Sequence, residues 1–144
     1  MAKRKDIIFS PELASDKNLV GVYKIFAIRD EIKTCLYIGK STNISYRLLG
    51  SGGSHIYMYL NNNFSKLVQF IIDKYINQGY IIQIEIMPVE YHDEFFSRAS
   101  HGLALVEIRE IVKYQKLGQS LEQMPEGVGM NKEKFWQENY KIEN

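Results

Sequence analysis

A chain of 144 residues, 45% apolar and 24% charged, is long enough for one well-cored domain and too short for two comfortable ones. Its apolar runs are only a few residues long, which excludes a bilayer span, and the basic start "MAKRKDIIFSPEL" lacks the apolar stretch of a secretion signal. A single cysteine, Cys35, excludes an internal disulfide and a multi-cysteine zinc site, so a reducing cytoplasm is expected; a net charge of +1 gives no global sign of nucleic-acid binding.

In chain order, residues 1–18 read as a flexible arm made basic by Lys3, Arg4 and Lys5. "LVGVYKIFAI", 19–28, is rich in β-forming residues, "RDEIKT" is a polar turn, and "CLYIG" is a second strand, together an antiparallel hairpin. "STNISYRLL" opens a helix with Ser41, Thr42 and Asn43 as available caps and Gly50 as its stop. "GSGG", 50–53, is a flexible connector; no Gly-Lys-Ser/Thr follows it, so it is not a phosphate loop. Next comes an amphipathic helix capped by Ser65 and ended by Gly79, then a strand over 80–87 with Ile82, Ile84 and Ile86 on one face and Gln83 and Glu85 on the other.

A long helix over 94–117 is expected from Asp93 as cap to Gly118 as stop. An irregular loop leads to a short closing helix capped by Asn131, with Phe135 and Trp136 available for docking. The order β-β-α-α-β-α-α predicts an α+β fold, a small antiparallel sheet packed by helices. The expected divisions are an arm at 1–18, a domain at 19–117 and an extension at 118–144.

The long helix carries a carboxylate on its packing face. At about 100° per residue, Ser100, Leu103, Ala104, Ile111 and Tyr114 fall within about 60° of Glu107, as does Phe96 if it is helical; Arg98, Arg109, Lys113 and Lys116 fall opposite. An unpaired carboxylate there costs several kcal/mol or takes a proton. Two readings stand: a bound Mg²⁺ with oxygen ligands, or a place at the stripe's edge paired with an arginine or lysine. Glu110 leans away and has Lys113 one turn on, a surface pair.

"GVY" at 21–23 and "YIGKSTNISYRL" at 37–48 resemble the signature of the GIY-YIG nuclease superfamily. The matching positions are Gly21, Val22, Tyr23, Tyr37, Ile38, Gly39, Lys40, Ser41, Asn43, Arg47 and Leu48, and the spacing from Tyr37 to Arg47 is the family's. "ALVEIREIVKYQK" is similar to the helix that bears the family's metal-binding glutamate, and Glu107 falls at that position. The resemblance covers about residues 20–116 and implies a three-stranded antiparallel sheet flanked by helices. Asn131 stands where the family often has an asparagine, although the loop before it is longer than usual.

The resemblance implies a DNA endonuclease. Glu107 would hold Mg²⁺ (or Mn²⁺) beside the scissile phosphate, and Arg47 would donate paired hydrogen bonds to phosphate oxygens. Tyr23 would serve as general base on water, with Lys40 lowering its pKa or touching phosphate itself, and Tyr37 would position water or phosphate. Gly21 and Gly39 would admit close backbone approach, Ser41 would cap its helix or bind phosphate, and His55 would be a loop proton carrier or simple surface. His92 and His101 have no partner pattern, and Trp136 reads as a docking anchor.

DNA is the expected partner, and a homo-oligomer is the simple route to double-strand cuts. Specificity would come from the 50–65 loop, the arm, residues 118–144 or a dimer. The competing readings are a non-catalytic nucleic-acid-binding module on the same scaffold and a protein-interaction domain with structural tyrosines.

Overall fold

The β-branched and aromatic run after Val20 forms β2 (Gly21–Arg29), and the chain reverses into β3 (Ile32–Ser41). Asp30 and Glu31 both take left-handed backbone, with φ of 53° and 66°, as a two-residue primed turn requires. The polar stretch 29–34 is therefore mostly strand: Arg29 pairs with Ile32, Ile28 with Lys33 and Ala27 with Thr34. The computed structural model describes residues 6–14, 19–50, 54–64, 66–125 and 127–142.

β4 (Ile81–Pro88) pairs antiparallel with β2, and β1 (Ile7–Ile8) pairs parallel with β4, giving the order β1-β4-β2-β3. The sheet thus has four strands and is mixed, where three antiparallel strands were expected. The arm is correspondingly shorter than read: Ile7 is buried in the sheet's core and a 3-10 turn spans Pro11–Ala14. A two-residue strand is too short for any periodicity to announce it. Lys3, Arg4 and Lys5 lie outside the described residues.

α1 (Ile44–Leu49), α2 (His55–Leu60) and α3 (Leu67–Asn77) pack on one face of the sheet, and α4 (Phe96–Lys116) packs on the other. The first core joins Tyr23, Ile25, Leu36, Ile82 and Ile84 to Ile44, Ile56 and Ile72. The second joins Val22, Phe26, Cys35 and Ile38 to Val106, Ile111 and Tyr114. A bulge lets both faces exist: Ile25 pairs with Tyr37 and Phe26 with Cys35, so Leu36 is the extra residue. Leu36 and Tyr37 then both pack on the α1–α3 side, and Tyr37 shares a face with Tyr23.

Several helix ends differ from the expected ones. Asn43 caps α1 by accepting from the Tyr46 N–H at 3.2 Å, while Ser41 ends β3 and accepts from the Asn43 N–H at 2.9 Å. The stretch 50–65, expected as a loop, contains α2. Ser65 lies outside the described residues, and the Lys66 N–H at the head of α3 is capped by the Gln69 side chain at 2.9 Å. Asp93 accepts from the Phe95 N–H and from the Arg98 guanidinium, so α4 starts one residue after Phe95. Phe96 stays 76% exposed, outside the packed stripe. The last helix, α5 (Met130–Asn139), is capped at Gly129 rather than Asn131; it buries none of its residues, so Phe135 and Trp136 are undocked.

Residues 119–123, expected to be an irregular loop, form a strap along β3, the sheet's edge. The Gln119 side chain accepts from the Cys35 N–H, and the Gln123 amide both accepts from the Ile38 N–H and donates to the Ile38 carbonyl. Ser120 completes the row by donating to the Leu36 carbonyl from its hydroxyl and to the Cys35 carbonyl from its N–H. Side-chain amides here satisfy edge groups that a further strand would otherwise pair.

Candidate active site

The two signature tyrosines sit at different depths. Tyr23, on β2, is 1% exposed and packs against Tyr37 with ring centroids 6.4 Å apart. Its hydroxyl is 2.9 Å from His55 Nε2 and also takes a hydrogen bond from Arg47. Burial pushes the phenol above its ordinary value of 10, Tyr37 and Glu107 push the same way, and the Arg47 guanidinium pulls against them. Tyr37 is half-buried and borders the open cavity described below.

His55 is no loop residue. It opens α2, is 2% exposed, and meets the Tyr37 ring edge-on at 5.4 Å. Burial, with the positive charges of Arg47 and Lys66, lowers its pKa from 6.5 to about 4, so the imidazole is neutral at physiological pH. Its Nδ1 is buried and has no hydrogen-bond partner among the described residues.

Gly39 and Gly21 serve packing. Gly39 lies opposite Tyr23, and a Cβ there would fall well inside contact distance of the Tyr23 hydroxyl. At Gly21 the same atom would collide with the Met87 carbonyl on β4. The close approaches these glycines admit are thus to the protein's own tyrosine and neighbouring strand.

Glu107 lies on the sheet-facing side of α4 with its side chain 20% exposed, and Lys40 Nζ stands 3.9 Å from Oε1. The ion-pair reading of this carboxylate is therefore realised, and it leaves part of the carboxylate accessible. Lys40 accordingly faces Glu107, and Arg47 is the cation that touches Tyr23. Glu110 pairs with Lys24 of β2, not with Lys113, and both partners are nearly buried. Lys24 escaped the sequence reading because its partner is 86 residues away.

Tyr37, Lys40 and Glu107 line one cavity of about 450 Å³, bounded by α4 and the strap. Among the described residues no group of three or more His, Cys, Asp or Glu side chains is placed to hold a metal ion. Glu107 fits a hard divalent cation as one carboxylate ligand, the rest of the shell coming from water and substrate oxygens, which is how Mg²⁺ is commonly held. Asn131, on exposed α5, and Ser41 make no hydrogen bond to these residues among those described; the Ser41 hydroxyl accepts from the Asn43 N–H. His92 and His101 are exposed. Among the described residues no helix is long and apolar enough to cross a membrane.

No family model, curated protein or solved structure matches this chain.

Proposed function

We propose that the protein is a divalent-metal-dependent DNA endonuclease of the GIY-YIG type, working in the cytoplasm and hydrolysing phosphodiester bonds. The observation that carries this reading is convergence. Tyr23, Tyr37, Lys40, Arg47, His55 and Glu107 come from five elements: Tyr23, Tyr37, His55 and Arg47 gather in one aromatic and charged cluster, and Tyr37, Lys40 and Glu107 line the cavity beside it.

In the proposed reaction water attacks phosphorus, the P–O bond to the leaving strand breaks, the water's proton passes to a tyrosine phenolate, and the leaving oxygen takes a proton from solvent. Tyr23 is that base. Arg47 stabilises its phenolate by hydrogen bonding, and neutral His55 fixes its hydroxyl without adding a competing charge. Tyr37 orients the water at the cavity wall, and Lys40 with Arg47 neutralises the phosphate oxygens. A Mg²⁺ or Mn²⁺ held by Glu107 supplies Lewis acidity when bound. A homo-oligomer would place two such sites on opposite strands of one duplex.

Plasmid nicking in Mg²⁺ tests the reading. Glu107→Ala is expected to lose at least about a hundredfold in rate; equal cutting by both proteins, or by neither, refutes it. The Lys40–Glu107 ion pair favours one second reading, a non-catalytic nucleic-acid-binding module, because it balances the carboxylate without a metal. Salt-dependent DNA binding with no metal-dependent cleavage selects that alternative.

A further inference from the structure

The cavity beside Glu107 has a second half that the proposed chemistry does not use. Its polar end is Tyr37, Lys40 and Glu107. Beyond them Ala104, Ile108, Ile111 and Val112 of α4 face Met124 and Pro125, which directly follow the strap, and the uncharged side chains of Gln115 and Gln123 also line it. Ile108 and Val112 lie four apart, one turn on the helix, and are 55% and 43% exposed. The strap wall is held in place: Gln115 Nε2 donates to the carbonyls of Ser120 and Gln123, each at 3.0 Å, and Gln123 is bonded in turn to Ile38.

A phosphate gains little from this mostly apolar recess, since neither Gln115 nor Gln123 carries a charge to balance it and burying an unpaired charge is costly. A flat aromatic ring does, because apolar walls and a methionine sulfur suit its faces. The volume of about 450 Å³ lies within the range of small-molecule sites. We infer that the α4–strap cleft is a base-binding slot, which takes one unstacked nucleobase of the substrate strand while the adjoining phosphate rests at Lys40. The inference rests on the nuclease reading of the polar end and assigns the apolar end, which that reading leaves without a role.

Methyl-resolved NMR of the full chain without metal provides the test, with deoxyadenosine 5′-monophosphate and base-free 2-deoxyribose 5-phosphate as probes. The nucleotide should shift the methyls of Ile108, Val112 and Met124 through its ring current. It should also bind at least about tenfold tighter than the sugar phosphate, the difference between a stacked base and none. Val112→Glu should erase that advantage and leave sugar-phosphate binding unchanged. Ala104→Phe, which fills the cleft with an apolar ring, should do the same and serves if the charged variant is unstable.

Equal affinities, or shifts confined to the Lys40 and Arg47 region, overturn the slot and leave the phosphate site standing. No binding of either probe by a chain that still cuts plasmid overturns the slot alone. Methyl shifts in a chain that never cuts DNA uphold the slot and sink the nuclease reading.

Discussion

His55 turns a side chain into a measurable acid sensitivity. It is buried and neutral, with a folded pKa of about 4 against 6.5 when unfolded. Between these values the unfolded chain binds the extra proton, so its contribution to stability is complete above pH 6.5 and is lost as pH falls toward 4. The size is about 3 kcal/mol, and chemical denaturation at pH 4.5 and 7 should show a gap that His55→Gln narrows. Tyr23 behaves oppositely if it is the base of the proposed cleavage. With its pKa above 10 and the deprotonated form active in that proposal, the cleavage rate should climb about tenfold per pH unit through pH 9 with no plateau. A rate flat from pH 6 to 9 would mean that another group takes the proton. Gly39 supplies a third test, because its missing Cβ makes room for the Tyr23 hydroxyl. Gly39→Ala should cost about 1–3 kcal/mol by overpacking, and the loss should shrink when Tyr23 is also Ala, as a double-mutant cycle detects. Tyr23, Tyr37, Lys40 and Arg47 were legible because they fall within one short motif, and Glu107 because helical periodicity turned it inward. His55 was not, since its burial depends on α2 folding over Tyr23, and nothing local to "SHIYMYL" encodes that contact.

At the scale of elements, the strap is the feature that organises the site's far wall. Gln123 makes a donor and an acceptor bond with Ile38, and Gln115 holds the strap from α4. Gln123→Ala should cost about 2 kcal/mol and raise the amide exchange rate of Ile38 well above that of Ile25 in the sheet's centre. Unchanged exchange at Ile38 would show that the strap does not protect the edge. The long elements β4, α3 and α4 were readable from periodicity, β2 from its run of β-forming residues, and the hairpin from its polar break. Two short elements were not. β1 has two residues and α2 six, and both form only because a prepared surface receives them: β4's edge for one, the Tyr23 and Tyr37 rings for the other. The strap was unreadable for the same reason, since glutamine and serine spell surface until the strand they bond is known.

For the whole molecule, stability is concentrated before residue 126. Both cores are built from β1–β4 and α1–α4, and α5 buries nothing. Removing residues 130–144 should shift the melting temperature by less than about 2 °C, because no core area is lost. A larger shift would reveal a docking of Phe135 or Trp136 in solution. The same distribution has a temporal side, set by the bonds between Gln123 and Ile38, which lie 85 residues apart in sequence. A growing chain pairs β2 with β3 early, through a local turn, but cannot close the outer rim of that hairpin until the strap has been made. At about 5–20 residues per second of synthesis, the rim stays open for roughly 4–17 seconds on every ribosome. During that interval an apolar hairpin with bare amides is available to any neighbouring nascent chain, so expression yield should respond to translation speed and to chaperones that shield unfinished sheets.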